Sequence, residues 1–178
     1  MKRLIMFVFL SFLTWNTTAQ KFIQDKLATK ITFKIKNFGS YVDCQFSDVN
    51  FDVSFNKNDL TNSYINTTIA VSSVDTNNKS RDKSLKKEKY FNVAKFPNII
   101  LKSTKIEMID TNSYNLIGDL TIKGTTKSIT IPIILSQDGN KLSINADFEI
   151  NRLDYKVGKS NIILSKKVIA KVNYLGKK

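Results

Sequence analysis

From residue 30 onward, apolar side chains recur at every second position. Ile31, Phe33 and Ile35 alternate with Thr32, Lys34 and Lys36, and Val42, Cys44 and Phe46 alternate with Asp43, Gln45 and Ser47. A period of two places all the apolar groups on one face of an extended chain, so each run predicts a half-buried β-strand. Val49, Phe51, Val53 and Phe55 resume the alternation one residue out of step with Phe46, which predicts a bulge or bend near Asp48 within one long strand. Further strands are predicted over 65–74, 99–109, 114–122, 129–135, 142–150 and 168–174.

Turn-forming residues separate these runs: Asn56 to Asn62, Asp110 to Ser113, Lys123 to Thr126, and the hairpin dipeptide Asp138-Gly139. With 42–55 taken as one bent strand the total is eight, an even number of antiparallel neighbours. The expected fold is an all-β, up-and-down antiparallel barrel of eight strands, which closes without leaving an edge; a two-layer sandwich would show the same one-sided pattern. One stretch departs from the rule. Between residues 79 and 91 the alternation stops and lysines crowd in, and Ser80 to Lys86 predicts about two turns of helix with Arg81 and Leu85 on one face. So short a helix has to pack on the sheet or cap a barrel end.

The first nineteen residues read differently. Lys2 and Arg3 precede an apolar run from Leu4 to Leu13, and Thr17-Thr18-Ala19 offers small residues for cleavage, the pattern of a secretory signal. The run is shorter than the roughly 20 residues a membrane span needs. The expectation is a periplasmic or secreted protein comprising one domain over residues 20–178. Removing the leader lowers the formal charge of +13 by two.

Composition then limits the chemistry. The 178 residues include no histidine and a single cysteine. A Ser-His-Asp triad, a Cys-His dyad and a histidine zinc site are therefore excluded, as is an internal disulfide. Carboxylate, lysine or hydroxyl chemistry remains, or none. Cys44 reads as a small buried apolar group.

Several motifs downstream of Val74 occur together and in order. They are Asp75-Thr76-Asn77-Asn78, Arg81-Asp82, Leu85, Tyr90-Phe91-Asn92-Val93 and Lys95-Phe96-Pro97, then Lys102-Ser103-Thr104, Tyr114, the run Gly118 to Lys127, Ile131-Pro132, and Ile150 to Tyr155. In this combination the chain resembles the YceI-like family of secreted polyisoprenoid-binding proteins. The resemblance implies a lipocalin-like barrel whose internal apolar channel holds a polyisoprenoid, an isoprenoid quinone or a similar long-chain amphiphile. The chain departs from the family at Ser84, where histidine is usual, at Cys44 and Phe51, where glycine is usual, and at Tyr155-Lys156, where Phe-Gly is usual. A phenylalanine in place of glycine on an inward face removes channel volume.

The inward-facing candidates for such a channel are Phe33, Ile35, Val42, Phe46, Phe51, Phe55, Ile69, Val71, Leu116, Leu120, Ile131, Ile133, Ile144 and Phe148. The alternation alone fits a filled core equally well. Arg81 and Arg152 are the only arginines after the leader, each beside an acid, Asp82 and Asp154. The pairs predict either structural ion pairs fixing the helix and a late loop or a polar mouth that orients a headgroup. No catalytic residue, metal ligand or cofactor is assigned. The basic side chains read as scattered along the strands without an aromatic-basic signature, which argues against nucleic acid and leaves a transient anionic membrane surface as a partner beside the lipid ligand. The sequence sets no oligomeric state, a dimer being one option. Two rivals stand beside the carrier reading: a carboxylate-dependent hydrolase using residues such as Asp82 and Glu88, and a filled barrel acting as a stress or protein-interaction module.

Overall fold

The structure, a computed structural model, describes residues 20–178; the leader read from residues 1–19 lies outside the described residues. Its strands are β1 (Gln20–Gln24), β2 (Lys30–Asn37), β3 (Ser40–Phe46), β4 (Val49–Phe55), β5 (Tyr64–Ala70), β6 (Val74–Asp75), β7 (Asn98–Met108), β8 (Ser113–Ile122), β9 (Thr125–Asp138), β10 (Lys141–Asn151) and β11 (Leu164–Lys177), with one helix, α1 (Lys79–Leu85). Six of the shorter strands join end to end into three wall strands. β1 and β2 follow one another along β11, with Ile23 and Gln24 opposite Lys177 and Gly176 and Ile31 to Asn37 opposite Val172 to Leu164. β4 lies on β1 and β3 on β2, while β5 and β6 pair with β4 and β3. β7 pairs antiparallel with β5, each later strand pairs antiparallel with the one before it, and β11 returns to β1 and β2. The wall is a closed eight-stranded antiparallel barrel, and a two-sheet sandwich is ruled out.

The bend near Asp48 is present. Ala70 N–H donates to the Asp48 carbonyl (3.0 Å) and Ser47 N–H to that of Ser73 (3.3 Å), and the change of phase brings both Phe46 and Phe51 inside. Two departures from the sequence-based expectation arise at the same corner. The strand expected over 65–74 ends at Ala70, because residues 70–73 face only 47–48 and the surplus winds into a 3-10 turn at Val71–Ser73. Period-two reading also does not find β1, since Phe22 points in and the adjacent, equally apolar Ile23 points out. Where β1 leaves the wall, the Gln24 side chain takes over its hydrogen bonds, donating to the Val49 carbonyl (3.1 Å) and accepting from Phe51 N–H (2.9 Å).

A second irregularity lies in β7, where the register slips between Ser103 and Lys105 opposite Gly118 and Ile117. A Cβ on Gly118 would sit 2.6 Å from the Lys102 carbonyl oxygen. Only glycine admits that approach.

The meander gives the barrel two unlike ends. One carries the β2–β3 and β8–β9 hairpins, the 76–97 connection with α1, and the segment between β10 and β11. The other carries the turns at 56–63, 109–112 and 139–140 together with Gln20 and Lys178. We refer to them as the helical end and the terminal end.

Candidate ligand-binding cavity

The barrel is hollow toward its helical end and filled toward its terminal end. Near the termini Phe22, Val53, Phe55, Tyr114, Leu142 and Tyr174 are all buried. Phe55 packs edge-on against Tyr114 with centroids 5.7 Å apart, and Phe51 tilts onto Tyr174 at 4.9 Å. Tyr174 donates its hydroxyl to the Phe22 carbonyl (3.4 Å), and its ring is accommodated only because residue 176 is glycine. These aromatic groups make a floor. Above it lies a cavity of about 690 Å³, within the usual range of roughly 300–1,000 Å³ for small-molecule sites.

Twelve of the fourteen inward candidates line this cavity: Phe33, Ile35, Val42, Phe46, Phe51, Ile69, Leu116, Leu120, Ile131, Ile133, Ile144 and Phe148. Phe55 does not, being part of the floor, and Val71 does not, being the buried first residue of the 3-10 turn that replaces the end of the expected strand. The alternation correctly gave both side chains as buried but carries no information on height along the barrel. Other lining residues were legible as strand positions yet unassigned, notably Leu101 on β7 and Val168, Ala170 and Val172 on β11. Leu85, Tyr90 and Phe91, from α1 and the chain after it, cover part of the top, Phe91 meeting Phe46 edge-on at 6.4 Å.

The lining contains no Asp, Glu or Lys. Its charged groups are Arg81 and Arg152, and neither makes the ion pair with its neighbour that the sequence suggested. Thr76, almost fully buried, links Arg81 to Asp82: its hydroxyl donates to the Asp82 carboxylate (2.6 Å) and accepts from Arg81 Nε (2.8 Å), while Arg81 Nη2 donates to the Thr76 carbonyl (2.7 Å). The guanidinium is thereby fixed at the cavity wall. On α1, Asn78 caps the first turn by accepting from Arg81 N–H (3.0 Å), and Ser84 spends its hydroxyl on the Ser80 carbonyl (3.0 Å).

Arg152 is only 4% exposed and donates to four carbonyls, those of Ser165 (2.8 Å), Val157 (2.7 Å), Lys159 (3.1 Å) and Leu164 (3.0 Å). Burial pushes its pKa down from the ordinary arginine value, although a guanidinium stays charged in any case. Asp154 is exposed and accepts from Asn151 Nδ2 (3.0 Å) instead. At the position following Tyr155, where the resemblance points to glycine, Lys156 adopts φ +56, a left-handed conformation that disfavours a side chain by roughly 1 kcal/mol.

Cys44 is buried and lines the cavity, its thiol pushed up to about 11 by loss of solvent. Among the described residues no group of three or more His, Cys, Asp or Glu is placed to hold a metal ion. The positive charge is less evenly spread than the sequence suggests. Connections at the helical end carry eleven Lys or Arg against three Asp or Glu, while those at the terminal end carry one against two.

A closed barrel, an aromatic floor and an apolar cavity under a short helix are set beside known proteins by the following likenesses. Residues 22–174 match the YceI-like domain. A UPF0312 protein of Yersinia pestis is 36% identical over 124 residues, which is 68% of this chain and 64% of the relative's own length, and a counterpart in Yersinia enterocolitica is 34% identical over the same span. Among solved structures, BcnA of Burkholderia cenocepacia superposes with a TM-score of 0.82 at 23% identity, covering 85% of this chain and 98% of that one. The YCEI protein of Campylobacter jejuni reaches 0.70 at 27% identity, covering 78% and 86%. A polyisoprenoid binding domain from Saccharophagus degradans, implicated in plant cell wall breakdown, gives 0.68 at 12% identity, covering 89% and 98%. With the family's domain matched across almost the whole barrel, the chain belongs to the YceI-like family.

Proposed function

We propose that the protein is a non-catalytic carrier that takes up one long apolar tail, an isoprenoid or similar amphiphile, in the cavity above the aromatic floor. The observation that carries this reading is the cavity itself, about 690 Å³ and lined mainly by aliphatic and aromatic side chains, with no carboxylate or lysine among the rest. The lack of a carboxylate in the lining counts against the hydrolase rival, and an open interior against the filled barrel. Binding of a polyisoprenoid by the Saccharophagus domain, which has the same fold, supports the ligand class.

Volume limits the tail. At about 30 Å³ per carbon-sized unit, the share a water molecule takes in the liquid, the cavity accommodates roughly twenty carbons. Withdrawing such a tail from water is worth about 16 kcal/mol at ~0.8 kcal/mol per carbon, under the practical ceiling of about 20 kcal/mol for noncovalent binding. The competing solvent is the bilayer, which is as apolar as the cavity, so transfer between them is near balance and the complex loads and unloads reversibly. Such an exchange suits an exported protein working beside a membrane.

Native mass spectrometry of gently purified protein tests the reading. The expected result is a bound tail that exchanges for added geranylgeraniol, a twenty-carbon isoprenoid alcohol, at one per chain. Protein that stays at its bare mass after incubation with prenyl alcohols and fatty acids of twelve to forty carbons rejects it.

A further inference from the structure

A membrane-docking face rests on the carrier reading: a tail of this length cannot cross water at a useful rate, so the cavity mouth has to meet the bilayer. The structure has a face suited to that contact. At the helical end the β2–β3 hairpin and the chain before β11 lie side by side, Phe38 N–H donating to the Ile163 carbonyl (3.0 Å). Phe38 is 77% exposed, Ile163 46%, and Ile162 fully so. Phe38 and Ile163 also line the cavity, beside Asn37 and Asn161, so apolar side chains run from the exterior into the interior.

Phe38 holds this place against its own preferences. It adopts φ +51 beside Gly39 at φ +80, a two-residue turn that favours Asn-Gly and disfavours a bulky ring. Exposed apolar side chains elsewhere, Leu27 and Ile109 among them, line no part of the cavity.

Charge selects the kind of membrane. The positive excess of the helical end is gathered in the connections around this rim, and Lys79, Lys83, Lys86 and Lys159 form no ion pair with a carboxylate among the described residues. Apolar groups projecting from a lysine-bearing end are the two elements of reversible binding to an anionic interface. We propose that the helical end docks on an anionic phospholipid bilayer, with Phe38, Ile162 and Ile163 entering the headgroup region and the surrounding lysines on the phosphates, so that the cavity mouth opens into the acyl layer.

The test is co-sedimentation with vesicles of phosphatidylcholine alone or with 30% phosphatidylglycerol, over a salt series. Binding to the mixed vesicles is expected to be at least tenfold tighter and to fall as salt rises. Phe38→Asn, which suits the turn, and the combination Ile162→Ser, Lys79→Glu, Lys83→Glu are each expected to weaken it at least tenfold, whereas Leu27→Ser and Ile109→Ser leave it unchanged. Equal binding to both vesicles, or equal loss with the Ile109 variant, overturns the proposal. So does a second copy of the chain or an acidic protein, rather than lipid, being what Phe38→Asn displaces. Loading of geranylgeraniol from detergent, followed in parallel, separates the two readings. Loading without vesicle binding sinks the docking face alone, and vesicle binding without loading sinks the carrier while the docking face stands.

Discussion

Cys44 illustrates how a single position reports on the interior. Its place in the period-two run with Val42 and Phe46 made its burial legible in the sequence; that it borders open space was not, since alternation is identical for a packed and a hollow level. With its pKa pushed up to about 11, the thiol is almost wholly protonated at pH 8 and is expected to react slowly with iodoacetamide. Labelling should slow further, several-fold, when the tail is bound, a comparison that rates on loaded and stripped protein will check. The same shift links stability to pH. An unfolded cysteine ionises near pH 8.5 and the folded one at about 11, so between those values the unfolded state sheds its proton first and stability falls as pH rises, by up to roughly 3 kcal/mol. Tyr174, pushed up to about 12 by burial, extends the decline to higher pH. Thermal melts from pH 8 to 11 should show it, with the early part of the slope reduced in Cys44→Ala.

At the level of elements, strands were easier to read than the pieces that tie them. The bend at Asp48 declared itself as a change of phase. The segment between β10 and β11 did not, because its organiser, Arg152, works on backbone carbonyls, and carbonyls are the same in every residue. Sequence could mark the arginine as unusual but not say what it held, and the adjacent Asp154 suggested the wrong partner. Removing the fork leaves four carbonyls short of a charged donor in a buried place. Arg152→Lys keeps the charge but not the geometry, and urea unfolding is expected to show a loss of about 3 kcal/mol.

For the whole molecule, the closed meander was legible because eight runs and their turns admit few arrangements. The position of the floor was not, since it depends on which side chains share a level across the barrel, and these come from strands far apart in sequence. Phe51 is the uppermost of that group and stands where the resemblance points to glycine. Phe51→Gly is expected to deepen the cavity and move the preferred tail from about twenty carbons toward longer chains, at a stability cost of about 3–5 kcal/mol for the lost aromatic. Competition among prenyl alcohols of fifteen to forty carbons, read by native mass spectrometry, will show whether the optimum moves.

The placement of Gln20 and Lys178 beneath the floor has a practical corollary. A tether joined at Lys178 hangs from the sealed side of the barrel, so molecules anchored through it to a sensor chip all present the same rim to the passing solution. Uptake and release by such an oriented layer can then be followed without the attachment obstructing the entrance.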